Sequence, residues 1–309
     1  MHSPLEIARN FVEIGIHKAN MSIFKMLVLG FFAGMFIGFA GIASTTASAT
    51  LEAGSIARLL SACVFPAGLA MVLIAGSELF TGNNLMILAA LEKKISVFRM
   101  LKNWFFVAIG NFLGSAFVAA LVVYGNTPNL FNGQLAQAIV NAGALRTNLT
   151  IPDAFIRGIL CNVLVCLAVW MSFAAKRMSG KLIISFWPIM LFVLCGFEHS
   201  IADMYFGMAA LLTADKYEIV AEGLTWVNFF THCLIPVTLG NVIGGAGIVG
   251  FGYWLCYLCP SPFIQATAEE EQEEIDLAEG YYKSRSEKLK DKLKEKMKMK
   301  EIKDHESDS

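Results

Sequence analysis

Gly196-Phe197-Glu198-His199-Ser200-Ile201-Ala202-Asp203 lies inside an apolar run over residues 182–212. The run is about 31 residues long, whereas a helix needs only about 20 to cross a bilayer. A polar, ionisable island in its middle therefore reads as a break, with two half-helices meeting near the membrane midplane. The pattern occurs once before. Gly76-Ser77-Glu78-Leu79-Phe80-Thr81-Gly82-Asn83-Asn84 interrupts the apolar run over residues 59–91. Half-helices are expected to restart near Leu85 and near Met204.

Around these islands lie four uninterrupted apolar runs, at residues 23–47, 104–124, 152–174 and 233–258. The first carries Gly30, Gly34 and Gly38 at every fourth position, a groove where another helix backbone can approach. Ala47-Ser48-Ala49 has the small residues of a signal-peptidase site, but the apolar stretch before it is too long for a signal h-region, so no cleavage is expected. Pro152 suits a helix start, and residues 126–151 read as a polar loop. The total is six spanning segments, the second and fifth broken. Gly76-x-Glu78 is answered by Gly196-x-Glu198, and Gly110-Asn111-x-x-Gly114 by Gly240-Asn241-x-x-Gly244. Three spans per half is an odd number, so the halves must be inverted. Inverted repeats with discontinuous helices mark transport proteins, with the site at the breaks.

Composition supports the same class. The 309 residues are 56% apolar with a mean hydropathy of +0.59. Of 24 Lys/Arg and 25 Asp/Glu, 10 and 14 fall between Ala268 and Ser309, which leaves 14 and 11 for everything before. The first 267 residues are thus only roughly 9% charged, against roughly 25% in a soluble domain. An ordinary soluble domain, a disordered chain and a nucleic-acid binder are excluded. Three regions are expected: an amphipathic helix on the membrane surface over residues 1–20, a transport domain over 21–259 and a charged tail over 260–309. In the tail, Leu289, Leu293 and Met297 form one thin apolar stripe. Lys18, Lys25, Lys93, Lys94, Arg99, Lys102, Lys176, Arg177 and Lys181 collect on one side of the spans, which places both termini in the cytoplasm.

Glu78, Glu198, His199 and Asp203 are ionisable groups in apolar surroundings, where each costs several kcal/mol unless paired or wetted. The glutamates are expected to satisfy backbone N–H groups of the islands, and Asp203 to cap the half-helix after it. His199 is the one histidine placed mid-span, and an imidazole there can exchange a proton at ordinary pH. Half-helix N-termini attract a small anion without a buried lysine. Thr81, Asn162, Asn241 and His199 can then replace its water. Ser77 or Ser200 beside His199 lacks a nucleophile-elbow motif, and Cys256-x-x-Cys259 stands alone, so no enzyme, metal or cofactor is expected.

Four stretches together, Gly76–Gly82, Asn162–Trp170, Gly196–Ala202 and Ile235–Asn241, resemble the formate/nitrite transporter family. The resemblance implies an aquaporin-like fold and a homopentamer in a cell (plasma or bacterial inner) membrane, with one pore per protomer. It implies passage of small monovalent anions or their acids: formate, nitrite, hydrosulfide, lactate or acetate. It assigns the central histidine to His199, the hydroxyl of the first break to Thr81 and the pore asparagines to Asn162 and Asn241. It assigns the apolar slits to Phe65, Leu69, Leu79, Phe80, Val165 and Phe192, and the anion-attracting vestibule cation to Arg146. A lysine is usual at that last position, and arginine keeps the charge but not a transferable proton. Asp203 stands where the family has asparagine. Thr81-Gly-Asn-Asn84 is closer to nitrite- or hydrosulfide-type members. The expected activity is proton-linked transport through His199; the alternative is a pH-independent channel for hydrosulfide or chloride.

Overall fold

A computed structural model describes residues 1–259 together with Leu277 and Gly280. The chain divides into a helical body, Met1–Cys256, and a second unit, Tyr257–Ser309. Of the second unit, only 257–259, Leu277 and Gly280 are described, and Leu277 and Gly280 are helical. The stripe of Leu289, Leu293 and Met297 lies outside the described residues.

The chain begins with α1 (Pro4–Ala19), α2 (Ile23–Ser48), α3 (Ser55–Ala75), the short α4 (Phe80–Leu91) and α5 (Val97–Tyr124). Helix α6 (Gln134–Thr147) joins the halves. Then follow α7 (Ile151–Ala174), α8 (Met178–Cys195), α9 (Ser200–Lys216) and α10 (Trp226–Tyr257). Six of these, α2, α3, α5, α7, α8 and α10, are long and apolar enough to cross a membrane. No strand occurs among the described residues. The discontinuous helices are α3–α4 and α8–α9, so each half is a span, a broken span and a span. This is the expected all-α architecture of two three-helix repeats.

Local chemistry sets the helix starts. The hydroxyls of Ser22, Ser96 and Thr150 accept the N–H groups of Lys25, Arg99 and Asp153 at 3.2–3.3 Å, which satisfies donors that the first turn leaves open. Pro152 sits in the first turn of α7, where its missing N–H costs nothing. Ser3 and Glu6 form a reciprocal capping box on α1. The Ser3 N–H holds the Glu6 carboxyl below the usual carboxylate range.

Glycine brings the spans together. A Cβ on Gly30 would stand 2.8 Å from the Val107 carbonyl, and one on Gly34 would overlap the Asn111 backbone. Helices α2 and α5 therefore meet backbone to backbone. The second half repeats the contact: a Cβ on Gly158 would lie 2.7 Å from the Val237 carbonyl, and one on Gly244 would overlap Ile159. Without a hydrophobic driving force between helices in lipid, such close approach supplies the packing energy.

Three expectations need correction. The half-helices restart at Phe80 and Ser200, four or five residues earlier than expected, because each break is only four residues long. The expected polar loop contains α6, whose Leu135, Ala136, Ile139, Val140 and Gly143 recur at helical spacing and are buried. Gly143 meets Ala210 and Phe206 of α9. The apolar face of α1 (Leu5, Ala8, Phe11, Val12) is buried by protein rather than laid against lipid, and Phe11 stacks on Trp170 with centroids 5.4 Å apart. Helix α1 precedes α2 as α6 precedes α7, so the repeat unit includes an amphipathic helix as well as three spans.

Overpacking a helix crossing of this kind costs about 1–3 kcal/mol or more. Gly34→Val is therefore expected to lower the thermal unfolding midpoint in detergent by several degrees. Gly252→Ala, at a position with nothing within 4 Å of the added Cβ, is expected to leave it unchanged. Equal midpoints would contradict the close contact.

Candidate functional site

The two breaks are built alike. Gly76 and Gly196 end α3 and α8 in the left-handed region, at φ 77° and 75°, where any other residue would be strained. Leu79 and His199 are the extended N-cap residues of α4 and α9. Between them the Glu78 N–H donates to the Leu29 carbonyl at 3.2 Å, and the Glu198 N–H to the Arg157 carbonyl at 3.3 Å.

One asparagine fastens each break. Asn111 Oδ1 accepts the Phe80 N–H at 2.9 Å, and its amide donates to the carbonyls of Gly30 and Glu78 at 2.8 and 2.9 Å. Asn241 Oδ1 accepts the Ser200 N–H at 2.9 Å, and its amide donates to the carbonyls of Gly158 and Glu198 at 2.8 and 3.1 Å. Both side chains are fully buried. Asn162 is buried too, and its amide donates to the Asn241 carbonyl at 2.7 Å and to Asn84 Oδ1 at 3.0 Å. Asn162 and Asn241 thus spend their amide hydrogens on the frame around the breaks.

Thr81 Oγ1 and His199 Nε2 are 2.8 Å apart, which joins the two breaks directly. The other ring nitrogen, Nδ1, accepts the Ala202 N–H at 3.2 Å. Nδ1 is therefore unprotonated, which leaves the proton of the neutral ring on Nε2, donated to Thr81. This corrects the expected role of Asp203: His199 itself caps α9, and the Asp203 N–H donates to the His199 carbonyl.

Among the described residues, Glu78, Glu198 and Asp203 accept no backbone N–H through their side chains; each is held by a cation. Lys18 Nζ donates to both Glu78 oxygens at 2.9 Å and to Asn83 Oδ1 at 2.7 Å. Arg146 Nε donates to Asp203 Oδ1 at 3.0 Å and lies 3.2 Å from Glu198 Oε2. Its guanidinium carbon stands 4.0 Å from the centre of the Phe206 ring. Arg146 is thus no free vestibule cation, since two carboxylates answer its charge. The physical reason for the difference from expectation is desolvation: side chains this deep bind the nearest full charge.

Two cavities whose linings share no residue flank the breaks, and a third of about 510 Å³ adjoins the smaller of the two at Lys18, Gly76 and Glu78. The larger, about 760 Å³, includes Phe65, Phe192, Arg146, Glu198, His199 and Asp203. Phe65 and Phe192 meet edge to face, 5.7 Å between centroids, and the Phe192 ring lies 5.8 Å from His199. The smaller, about 230 Å³, includes Lys18, Leu69, Glu78 and Leu79. Phe80 and Val165 line neither; Phe80 packs edge-on against Trp104, 6.2 Å away. Sequence reasoning did not assign Lys18, Asn83, Phe206 or Asn111 to the site. Asn111 alone had a signal, as the repeat partner of Asn241.

Inverted discontinuous helices, paired buried charges and a histidine–threonine bridge between two cavities define a membrane transport protein. Similarity to known proteins gives its family. The family model described as formate/nitrite transporter matches residues 5–255. A formate channel of Bacillus thuringiensis, BtFdhC, is 36% identical over 83% of this chain and 96% of its own length. The formate channel FocA of Escherichia coli K12 is 34% identical over 82% of this chain and 94% of its own. A solved pentameric formate channel with formate bound aligns with a TM-score of 0.68 at 33% identity, over 76% of this chain and 98% of that one. An ion channel of the same family aligns with a TM-score of 0.71 at 29% identity, over 81% and 96%. The chain belongs to the formate/nitrite transporter family and is a channel or transporter, not an enzyme.

Asn111→Ala and Asn241→Ala each orphan two buried backbone groups of a break, one N–H and one C=O, at about 1–3 kcal/mol per group. Each is expected to lower the thermal midpoint severely, and by similar amounts. A large loss from one and none from the other would show that the breaks are not equivalent.

Proposed function

We propose that this protein carries small monovalent anions of the formate, nitrite and hydrosulfide class across a cell membrane, with formate the leading substrate and transport linked to protons at or near His199. It works as a homopentamer with one pore per protomer. Its membrane is the plasma membrane or a bacterial inner membrane, with both termini in the cytoplasm, as the Lys/Arg distribution favours. The observation that carries the reading is the buried Thr81–His199 bridge, flanked by two cavities and by the N-termini of two half-helices. The names of the similar proteins support formate.

The steps follow from the chemistry. An anion enters the larger cavity, drawn by the positive end of α9. The Nε2–H and the Thr81 hydroxyl exchange their mutual bond for bonds to the anion. Phe65 and Phe192 on one side, and Leu69 and Leu79 on the other, strip water without replacing it, which is costly for a bare ion. A proton from the water of the entry cavity, delivered to the anion beside His199, removes that cost; the neutral acid crosses and gives the proton up to water on the far side, and the ring keeps its Nε2–H.

A second reading has its own observation. Because Nδ1 caps α9, adding a proton there breaks the cap and puts an imidazolium at a helix N-terminus, where positive charge is unfavourable. His199 then serves only as a hydrogen-bond donor, and the pore passes anions without a proton. Uptake into proteoliposomes at about pH 5.5 and about pH 7.5, with internal pH recorded, separates the two. Proton-linked transport gives faster uptake at the acidic pH, with one proton entering per formate. Electrogenic uptake indifferent to pH supports the second reading. Thr81→Val is expected to slow formate uptake about tenfold or more, the equivalent of one lost buried hydrogen bond. An unchanged rate would remove the bridge from the pathway.

A further inference from the structure

The two ion-pair clusters occupy equivalent places in the two repeats, and they differ in the cation, lysine against arginine, and in the residue five places after the glutamate, asparagine against aspartate. In the first, Lys18 faces Glu78, and Asn83 lies five residues after Glu78. The Asn83 amide donates to Glu78 Oε2 at 2.7 Å and to Asn103 Oδ1 at 2.8 Å. One cation meets one carboxylate, and a neutral amide completes the set. In the second, Arg146 faces Glu198, and Asp203 lies five residues after Glu198. A carboxylate here cannot donate to Glu198 as the Asn83 amide does to Glu78.

The hydrogen bonds show what is missing. Arg146 Nε has a single hydrogen, directed at Asp203 Oδ1, and its Nη1 donates to the Ala142 carbonyl at 2.7 Å. Glu198 Oε2 lies 3.2 Å from Nε yet receives no hydrogen bond, and Asp203 Oδ2 receives none either. Asp203 is fully buried and Glu198 is 7% exposed. Two unsatisfied carboxylate oxygens thus flank one guanidinium. With both groups ionised, the cluster carries one uncompensated negative charge in the wall of the cavity that reaches His199, and burying such a charge is strongly disfavoured. One proton balances the charge and supplies the missing donor.

We propose that Glu198 and Asp203 share one proton beside Arg146, so that this cluster is a proton-binding site of the pore distinct from His199. The other titratable groups around the pair are Cys161 of α7, Cys233 of α10 and His199 of the break, and Glu52 and Arg58 line the same cavity, with Arg58 Nε donating to the Leu194 carbonyl rather than to either carboxylate. From α2 and α5, no charged group of the described residues comes within ion-pair range. Binding the proton leaves the cluster neutral, as Lys18–Glu78–Asn83 is. Releasing it to the cavity turns the cluster negative and opposes anion entry on that side. The inference deepens the proposed transport function, since its consequence for uptake rests on that reading.

Infrared difference spectroscopy on the purified protein in lipid tests it. At neutral pH the parent is expected to show the C=O stretch of a protonated buried carboxyl, shifted in D2O and lost at alkaline pH. Asp203→Asn and Glu198→Gln each leave one carboxylate for one guanidinium, so each removes the band. Asp203→Asn reproduces the chemistry of the first cluster, which favours a folded variant, and His199→Phe is expected to keep the band. Absence of the band in the parent, or its survival in either carboxyl variant, overturns the proposal. In transport, a unit charge at about 10 Å through an effective dielectric of about 20 changes anion occupancy on the order of tenfold. The fall in formate uptake from mildly acidic to alkaline pH is therefore expected to be about tenfold shallower in Asp203→Asn, and an identical slope in variant and parent would refute the effect on entry. A proton-to-formate ratio of zero would sink the His199 reading while leaving the infrared result standing.

Discussion

A helix that stops halfway across a bilayer exposes backbone N–H and C=O groups where no water can satisfy them, and each such group costs several kcal/mol. Everything else in this structure accommodates that constraint twice over. Gly76 and Gly196 turn the chain in the one conformation that closes the preceding helix within a residue. Asn111 and Asn241 then collect the N–H and C=O groups left over, each binding one donor and two acceptors. The glycine-lined crossings of α2 with α5 and of α7 with α10 exist for the same purpose. They bring the fastening asparagines close enough to reach across from a neighbouring helix.

The breaks are also where function becomes possible. A continuous helix shows a bilayer only side chains, whereas a broken one turns two helix N-termini and their first side chains towards the same depth. His199 and Thr81 are such first-turn residues, and they meet because the two repeats are inverted about them. Charge follows the same geometry. Lys18 and Arg146 come from amphipathic helices outside the six spans and reach inward to the glutamate of each break. Phe65 and Phe192 beside one cluster, and Leu69 and Leu79 beside the other, place apolar surface next to these charges.

Much of this was legible in the sequence because lipid permits so few solutions. Runs too long for one span with polar islands inside them could only be broken helices. The repeated Gly-x-Glu and Gly-Asn-x-x-Gly patterns marked equivalent positions, although only Asn241 was read as a site residue and its partner Asn111 was not. Helix α6 was hidden because its stripe of Leu135, Ile139, Val140 and Gly143 is diluted by Gln and Asn. The same dilution concealed the fact that Arg146 and Lys18 are repeat equivalents. The family resemblance grouped Phe80 with the slit residues, but its ring turns to Trp104.

By itself the sequence determined the class of protein, the six spans, the inverted repeat and the positions of the two breaks, because hydropathy and backbone hydrogen bonding are local properties that a run of residues must satisfy wherever it folds. Only the tertiary structure decided what the polar residues do there. It made Asn241 and Asn162 fasteners, His199 a helix cap as well as a bridge to Thr81, and Asp203 the partner of Arg146. A buried polar group takes the partner that packing places within about 3 Å, and, except for the Ala202 N–H that His199 caps, those partners lie dozens of residues away in the chain.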